Sequence, residues 1–377
     1  MSYFIERGPL DPDALSGAIV RGAVIRSRAP LRVSFCGGGT DLKEYASEHG
    51  GLVLSATIAR YAYATLQPTA DREIQVASLD YDLIERFHSD EPLIYDGKID
   101  LIKACLRRLR VGPEAMSGMR LHLQTDAPPG SGLGASSALV VSLIGAFITW
   151  RRLTLTNYEI AELAYELERT DVGIAGGMQD QYAATFGGFN LMEFGDDRVI
   201  VTPLRVDKDV VRELEYNSML VFTGGTRLSG HIIDEQIRGY VAQRNEVVES
   251  LHEMKRLATE ARDALLLGRL GDLGRILDKQ WWHKKRTSSA ISNPHIDNLY
   301  AEAKRLGAVG GKMSGAGGGG YMFLICPFDR QPAVSARLRE LGAETSPVRF
   351  EFKGVASWFA RPLDASPALV GAGAHLN

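Results

Sequence analysis

The stretch whose reading decides the fold is 126-DAPPGSGLGASSALVVSLIGAF-147. Two prolines lead into a loop in which Gly130, Gly132 and Gly134 are glycine, and two serines and an apolar run follow. Glycine lets backbone N–H groups converge, and the start of a helix leaves unpaired donors with partial positive charge. A loop of this kind is either an anion site or a plain tight turn from strand to helix. The letters leave both readings open.

Outward from the loop, MRLHLQT (Met119–Thr125) alternates as a strand, and Ala135–Trp150 reads as a helix. The apolar run Leu139–Trp150 is about a dozen residues, too short for a membrane span and right for a buried helix. Two familiar phosphate motifs fail on context. A Walker loop needs G-x-x-x-x-G-K-[ST], yet Gly311-Lys312 is followed by Met313, and Leu306 stands where the first glycine belongs. The dinucleotide spacing at Gly130, Gly132 and Ala135 is followed about twenty residues on by RRLTLTN, with no acid for a ribose. The same spacing at Gly315, Gly317 and Gly320 runs into the strand YMFLIC instead of a helix.

The remaining chain sets bounds. It has 377 residues, 45% hydrophobic and 24% charged, which favours two lobes with their own cores. A net charge of -3 gives no general attraction to nucleic acid or to an anionic membrane. Cys36, Cys105 and Cys326 form neither a metal pattern nor a disulfide framework, which suits a reducing cytoplasm. The first residues, MSYFIERGPLDPDAL, lack the apolar core of a signal peptide. The eight histidines follow no zinc spacing.

Strands are expected at Val24–Phe35 with a break at Pro30, then Leu52–Leu66 as one long strand or a strand pair, Glu73–Ala77, Phe189–Phe194, Val199–Val206 and Met219–Phe222. Helices are expected at Thr156–Arg169, where Thr156 and Glu159 form a capping box, and at Gly177–Phe186. From Ser229 the pattern turns helical, through Glu246–Leu267, Asp272–Arg286 and Pro294–Leu306. Gly320–Cys326, Val348–Phe352 and Val355–Phe359 read as strand, and the tail after Pro362 as frayed. Strands followed by helices in each half predict an α+β fold of two lobes, residues 1–203 and 204–377.

Three glycine clusters stand in order: PLRVSFCGGGTD (Pro30–Asp41), PPGSGLGASSA (Pro128–Ala138) and KMSGAGGGG (Lys312–Gly320). Together they resemble the signature segments of the GHMP kinase superfamily. Within it, RAPLRVSFCGGGTD, GGMQDQYA, ISNPHIDNLY and GGKMSGAGGGG are most similar to the D-glycero-D-manno-heptose 7-phosphate kinase branch, with fucose-type sugar-1-kinases next. The resemblance implies the two-lobed GHMP kinase fold with its active site in the cleft between lobes. It also implies phosphorylation of an anomeric sugar hydroxyl, with ATP and Mg²⁺ as cofactors. The partners expected are a small sugar phosphate and ATP, without nucleic acid or membrane; a homo-oligomer is allowed.

Residue roles follow from the same resemblance. Pro129, Gly130, Ser131, Gly132, Leu133, Gly134, Ala135, Ser136 and Ser137 would wrap the ATP phosphates. Ser136, with Ser137 as its substitute, and Glu168 match the metal ligands; helix capping and a surface salt bridge are the plainer alternatives. Asp180 matches the catalytic aspartate and Arg32 its basic neighbour; a dipole-favoured acid and a strand-edge arginine are their alternatives. Gly38, Gly39, Thr40, Asp41, Gly177 and Asp180 fall where relatives hold the sugar, and Gly315, Gly317 and Gly318 where the third motif closes. A phosphorylated acceptor needs cations, and HKKRTSS (His283–Ser289) is the densest basic run. Three consecutive cations cannot share one helical face, so at most one or two of Lys284, Lys285 and Arg286 point into the cleft; Lys285 and Arg286 are taken as the phosphate partners, against the alternative of a solvated helix end.

Overall fold

A computed structural model describes residues 23–80, 82–110, 117–225 and 230–361. The expectations for the first 22 residues, for Ser229 and for the tail after Pro362 lie outside the described residues. Twelve strands are described: β1 (Ile25–Cys36), β2 (Gly51–Pro68), β3 (Glu73–Ser78), β4 (Leu83–His88), β5 (Met119–Thr125), β6 (Phe189–Phe194), β7 (Val199–Pro203), β8 (Ser218–Phe222), β9 (Gly310–Met313), β10 (Tyr321–Ile325), β11 (Glu344–Pro347) and β12 (Ala356–Phe359). The helices are α1 (Lys43–His49), α2 (Asp100–Leu109), α3 (Ala135–Arg151), α4 (Asn157–Glu166), α5 (Gln179–Phe186), α6 (Lys208–Tyr216), α7 (Gly230–Val241), α8 (Asn245–Leu266), α9 (Leu270–Arg286), α10 (Pro294–Arg305) and α11 (Gln331–Glu340).

The larger sheet runs β12-β1-β2-β5-β3-β4. The first half of β2, Gly51–Ala56, pairs with β6, and the second half, Ala62–Pro68, pairs with β5. Pro30 produces a bulge, not a break: β1 continues through it, and its register against β2 shifts between Pro30 and Leu31. Proline has no N–H to give the ladder, and two residues of β2, Ala59 and Arg60, are left out of the pairing there. The smaller sheet runs β11-β8-β10-β9.

α3 is apolar on nearly every side and is buried along most of its length, against β1 and β2. That burial fixes the point in space where its N-terminus and the glycine loop open. α8 packs on β1, β2 and α9, and α9 packs on β9 and β10, so one core spans the two sheets. The other face of the smaller sheet is covered by apolar residues of α10 and α11.

Several expectations change. Val348–Phe352 is not a strand: the ladder ends at Pro347, and the segment beyond crosses to the larger sheet, meeting it in one bridge, Phe350 to Ile58. The strand expected over Val199–Val206 stops at Pro203. The helix expected over Thr156–Arg169 has its capping box, but from Leu167 to Asp171 it widens into a π turn. α1, β4, α2, α6, β9 and α11 were not expected. Among the described residues, no helix is long and apolar enough to cross a membrane.

Phe35 sits where the sheets meet, its ring edge-on to Phe323 of β10 at 5.4 Å and stacked on Phe189 of β6 at 6.3 Å. Phe35→Ala is expected to cost about 3–5 kcal/mol in chemical denaturation, from lost burial plus a cavity that rigid strands cannot close. A loss below about 1 kcal/mol would show that the shared core does not depend on this junction.

Candidate active site

Residues 127–134 leave β5 and turn into α3. Gly130, Gly132 and Gly134 have φ of 73°, 79° and 75°, the left-handed region that only glycine enters cheaply. Gly132 is further confined, since a Cβ there would stand 2.4 Å from the Ser314 carbonyl oxygen. The loop is clamped from both sides. Arg32 of β1 gives its backbone N–H to Leu133 O at 3.0 Å, and Tyr321, following the third cluster, gives its own to Ser131 O at 2.9 Å. Gly134 caps α3 without a side-chain bond, and the first turn carries no acid, so the helix's positive end opens on the loop. Ser131, on the cleft wall, has a buried hydroxyl without a hydrogen-bond partner among the described residues.

A cleft of about 460 Å³ runs along this loop, with α7, α9 and the third cluster on its other walls. Arg32 and Asp180 meet in it. Arg32 Nε and Nη2 donate to the two Asp180 carboxylate oxygens at 2.8 Å each, and Nη1 donates to Gly132 O at 2.5 Å. Arg32 is buried, whereas the Asp180 side chain keeps 22% exposure towards the cleft. Asp180 lies in the first turn of α5, where negative charge complements the dipole.

Asp41 lies on the same wall and is buried. Its carboxylate accepts from Gly39 N at 2.8 Å, Gln179 N at 3.1 Å and Gln179 Nε2 at 3.1–3.2 Å. Gly177 makes room for it, as a Cβ there would overlap Asp41 Oδ2 at 1.9 Å.

The metal residues separate into two layers. Ser136 is exposed on the cleft wall, while Glu168 is 1% exposed. The π turn carries Glu168 inward, where it accepts from Ser137 Oγ at 2.7 Å and from Gln181 Nε2 and faces Arg169 at 3.7 Å. The hydroxyl that the structure joins to Glu168 is therefore that of Ser137.

Five expected cleft residues are elsewhere. The Thr40 hydroxyl donates to Gly37 O and accepts from Leu52 N, holding the turn instead of facing the cleft. Leu133 is buried beneath the loop, and the Gly318 N–H is taken by Ile291 O. Lys285 pairs with Asp297 at 3.0 Å. Arg286, a fifth, pairs with Glu246 and stacks on Trp282, because consecutive residues of a helix point about 100° apart.

Lys284, one position earlier, is the residue that enters the wall. It is 4% exposed and donates to Gly38 O at 3.1 Å and Gln236 Oε1 at 3.4 Å. The spacing Leu273, Leu277, Trp281, Lys284 places it on the buried stripe of α9, which is the signal that sequence reasoning passed over. Behind it, Lys312 of β9 is also buried and donates to Ser34 O at 2.7 Å. Burial pushes Lys284 down to about 8, with Asp41 opposing and Arg32 adding to the fall. Lys312 falls to about 7, through burial first and then Lys284.

The chain is similar to known proteins along most of its length. Residues 100–188 match the GHMP kinases N terminal domain and residues 261–344 the GHMP kinases C terminal domain. A D-glycero-alpha-D-manno-heptose 7-phosphate kinase from Campylobacter jejuni is 41% identical over 336 residues, covering 89% of this chain and 98% of the relative. The chain belongs to the GHMP kinases. Among solved structures, a D-glycero-D-manno-heptose 1-phosphate kinase from Bacteriodes thetaiotaomicron is similar with a TM-score of 0.75 and 36% identity, over 90% of this chain and 100% of that one. A putative sugar kinase from Campylobacter jejuni gives 0.74 and 40%, over 90% and 99%.

The Lys312 shift has a consequence for stability. Folding lowers this pKa from the ordinary 10.5 to about 7, so the unfolded chain holds the proton more tightly. The resulting penalty is absent above about pH 10.5, grows as pH falls, and is complete below about pH 7. Lys312→Met is expected to raise Tm relative to wild type at pH 7, by an amount that shrinks as pH approaches 10. A gain that stays constant across that range would mean Lys312 is not held near neutrality.

Proposed function

We propose that this kinase transfers the γ-phosphoryl group of ATP to the anomeric hydroxyl of D-glycero-D-manno-heptose 7-phosphate, giving the 1,7-bisphosphate. The observation that carries the reading is the Arg32–Asp180 pair, standing between the phosphate loop and the Asp41 wall. The choice of sugar rests on the 41% relative, whose name puts a phosphate at position 7 and so leaves position 1 free.

The glycine loop and the α3 N-terminus bind the nucleotide phosphates through backbone N–H groups. Asp41 and the Gly38–Gly39 backbone orient sugar hydroxyls, a carboxylate being able to accept several at once. The anomeric oxygen attacks the γ-phosphorus as the bond to the β–γ bridging oxygen breaks and ADP leaves. Asp180 accepts the hydroxyl proton. Both its oxygens already accept from Arg32, so it orients the hydroxyl first and collects the proton late, as a loose transition state requires. Arg32 also brings positive charge to the transferring group.

Mg²⁺ fits the donors beside the loop, since it takes hard oxygen ligands next to phosphates. Ser136, Ser137 and Glu168 supply a hydroxyl on the wall with a hydroxyl and a carboxylate behind it. When bound, the ion would neutralise phosphate charge and hold the phosphates in line. We also divide the chain at 203/204, where β7 ends and the strands of the smaller sheet are still to come. A cytoplasmic location is supported by three buried, unpaired cysteines.

Phosphorus NMR of the product tests the reading: wild-type protein with ATP and heptose 7-phosphate is expected to give a second phosphate on the anomeric carbon. Asp180→Asn is expected to lower kcat by about 10²–10⁴-fold with ATP binding nearly unchanged. Phosphorylation at another position, or a variant that keeps most of its turnover, would overturn it.

A further inference from the structure

Among the described residues, every other cation of the cleft already faces a carboxylate. Arg32 is paired with Asp180, and Arg169 faces Glu168 at 3.7 Å. On the outer face of α9, Lys285 and Arg286 are paired with Asp297 and Glu246. Lys284 differs: its two partners, Gly38 O and Gln236 Oε1, are neutral, and no carboxylate lies within ion-pair reach among the described residues. A buried ammonium with only neutral acceptors is costly unless an anion completes it.

We infer that Lys284 forms the subsite for the phosphate that the acceptor sugar already carries. Its position fits the acceptor and not the nucleotide. Its ammonium lies beside Gly38 and Gly39, in the turn that also presents Asp41, and not along residues 130–134. α7 contributes the neutral amide of Gln236 to the same wall, and Gly230, the first residue of α7, opens there with no acid in the first turn. On the side of α7 and α9 the described subsite is thus positive. The charged groups around Lys284 are Asp41 and Arg32 from the side of the larger sheet and Lys312 from β9. Asp41 is held by Gly39 N and both nitrogens of Gln179, and forms no ion pair with Lys284.

This inference rests on the proposed heptose 7-phosphate activity, and the experiment separates the two. Steady-state kinetics would compare Lys284→Gln with wild type on heptose 7-phosphate and on unphosphorylated heptose. Losing a charge-assisted contact is expected to raise KM for the phosphorylated sugar about tenfold or more. KM for ATP is expected to hold within about twofold, and kcat/KM is expected to fall about tenfold or more further for heptose 7-phosphate than for the plain heptose, whose own change reports the contact of Lys284 with Gly38. Equal losses on both sugars would overturn the subsite and assign Lys284 to the hydroxyls or to the transferred group. A wild-type enzyme that shows no preference for the phosphorylated sugar would instead overturn the functional reading beneath it. Should the variant fail to fold, wild type alone decides. Its kcat/KM for heptose 7-phosphate is expected to fall as pH rises through about 8, where Lys284 loses its proton, while that for plain heptose does not. Parallel pH profiles for the two sugars would overturn the subsite.

Discussion

Arg32 holds three parts of the molecule with one residue. Its backbone N–H and Nη1 fix the glycine loop to β1, and its other two guanidinium donors fix Asp180 at the start of α5. A planar fork suits this task as a lysine would not, because both carboxylate oxygens and a carbonyl must be met together. The loop cannot move without disturbing the aspartate, and the distance between the phosphate site and the acceptor site is set by that linkage. Loop geometry, helix position and catalytic placement therefore share one cause.

The site carries a stability cost. Glu168, Asp41, Lys284 and Lys312 are charged groups at 4% exposure or less, each held by hydrogen bonds but in part by neutral partners. Apolar residues of similar volume in such places are often no worse for stability. Their arrangement makes sense as electrostatic preorganisation: positive groups converge on walls that bind phosphates, and carboxylates stand where hydroxyls must be oriented. The glycines add a steric counterpart, since Gly132 and Gly177 exist where a Cβ would strike a carbonyl or a carboxylate.

Much of this was legible in the sequence, for reasons that differ by residue. The loop, Arg32, Asp41 and Asp180 lie within glycine-marked segments whose backbone demands leave a clear trace in the letters. α3 was legible because an unbroken apolar run of helical length has few other fates. Position along a helix was read less well. HKKRTSS drew attention as a linear run, and only the stripe Leu273, Leu277, Trp281 shows that Lys284 turns inward while Lys285 and Arg286 turn out. Which serine hydroxyl meets Glu168 depends on a π turn in the neighbouring helix, which no local pattern announced. Val348–Phe352 has the composition of a strand but serves as a crossing between sheets, a role decided by tertiary pairing alone.

The central claim is that Arg32 and Asp180 act as one unit. A double-mutant cycle on kcat/KM with Arg32→Gln, Asp180→Asn and the combined variant tests it most directly. The account predicts strong non-additivity, the double variant being within about threefold of the worse single variant, as for residues that function together. Losses that multiply would contradict it and make the two residues independent contributors.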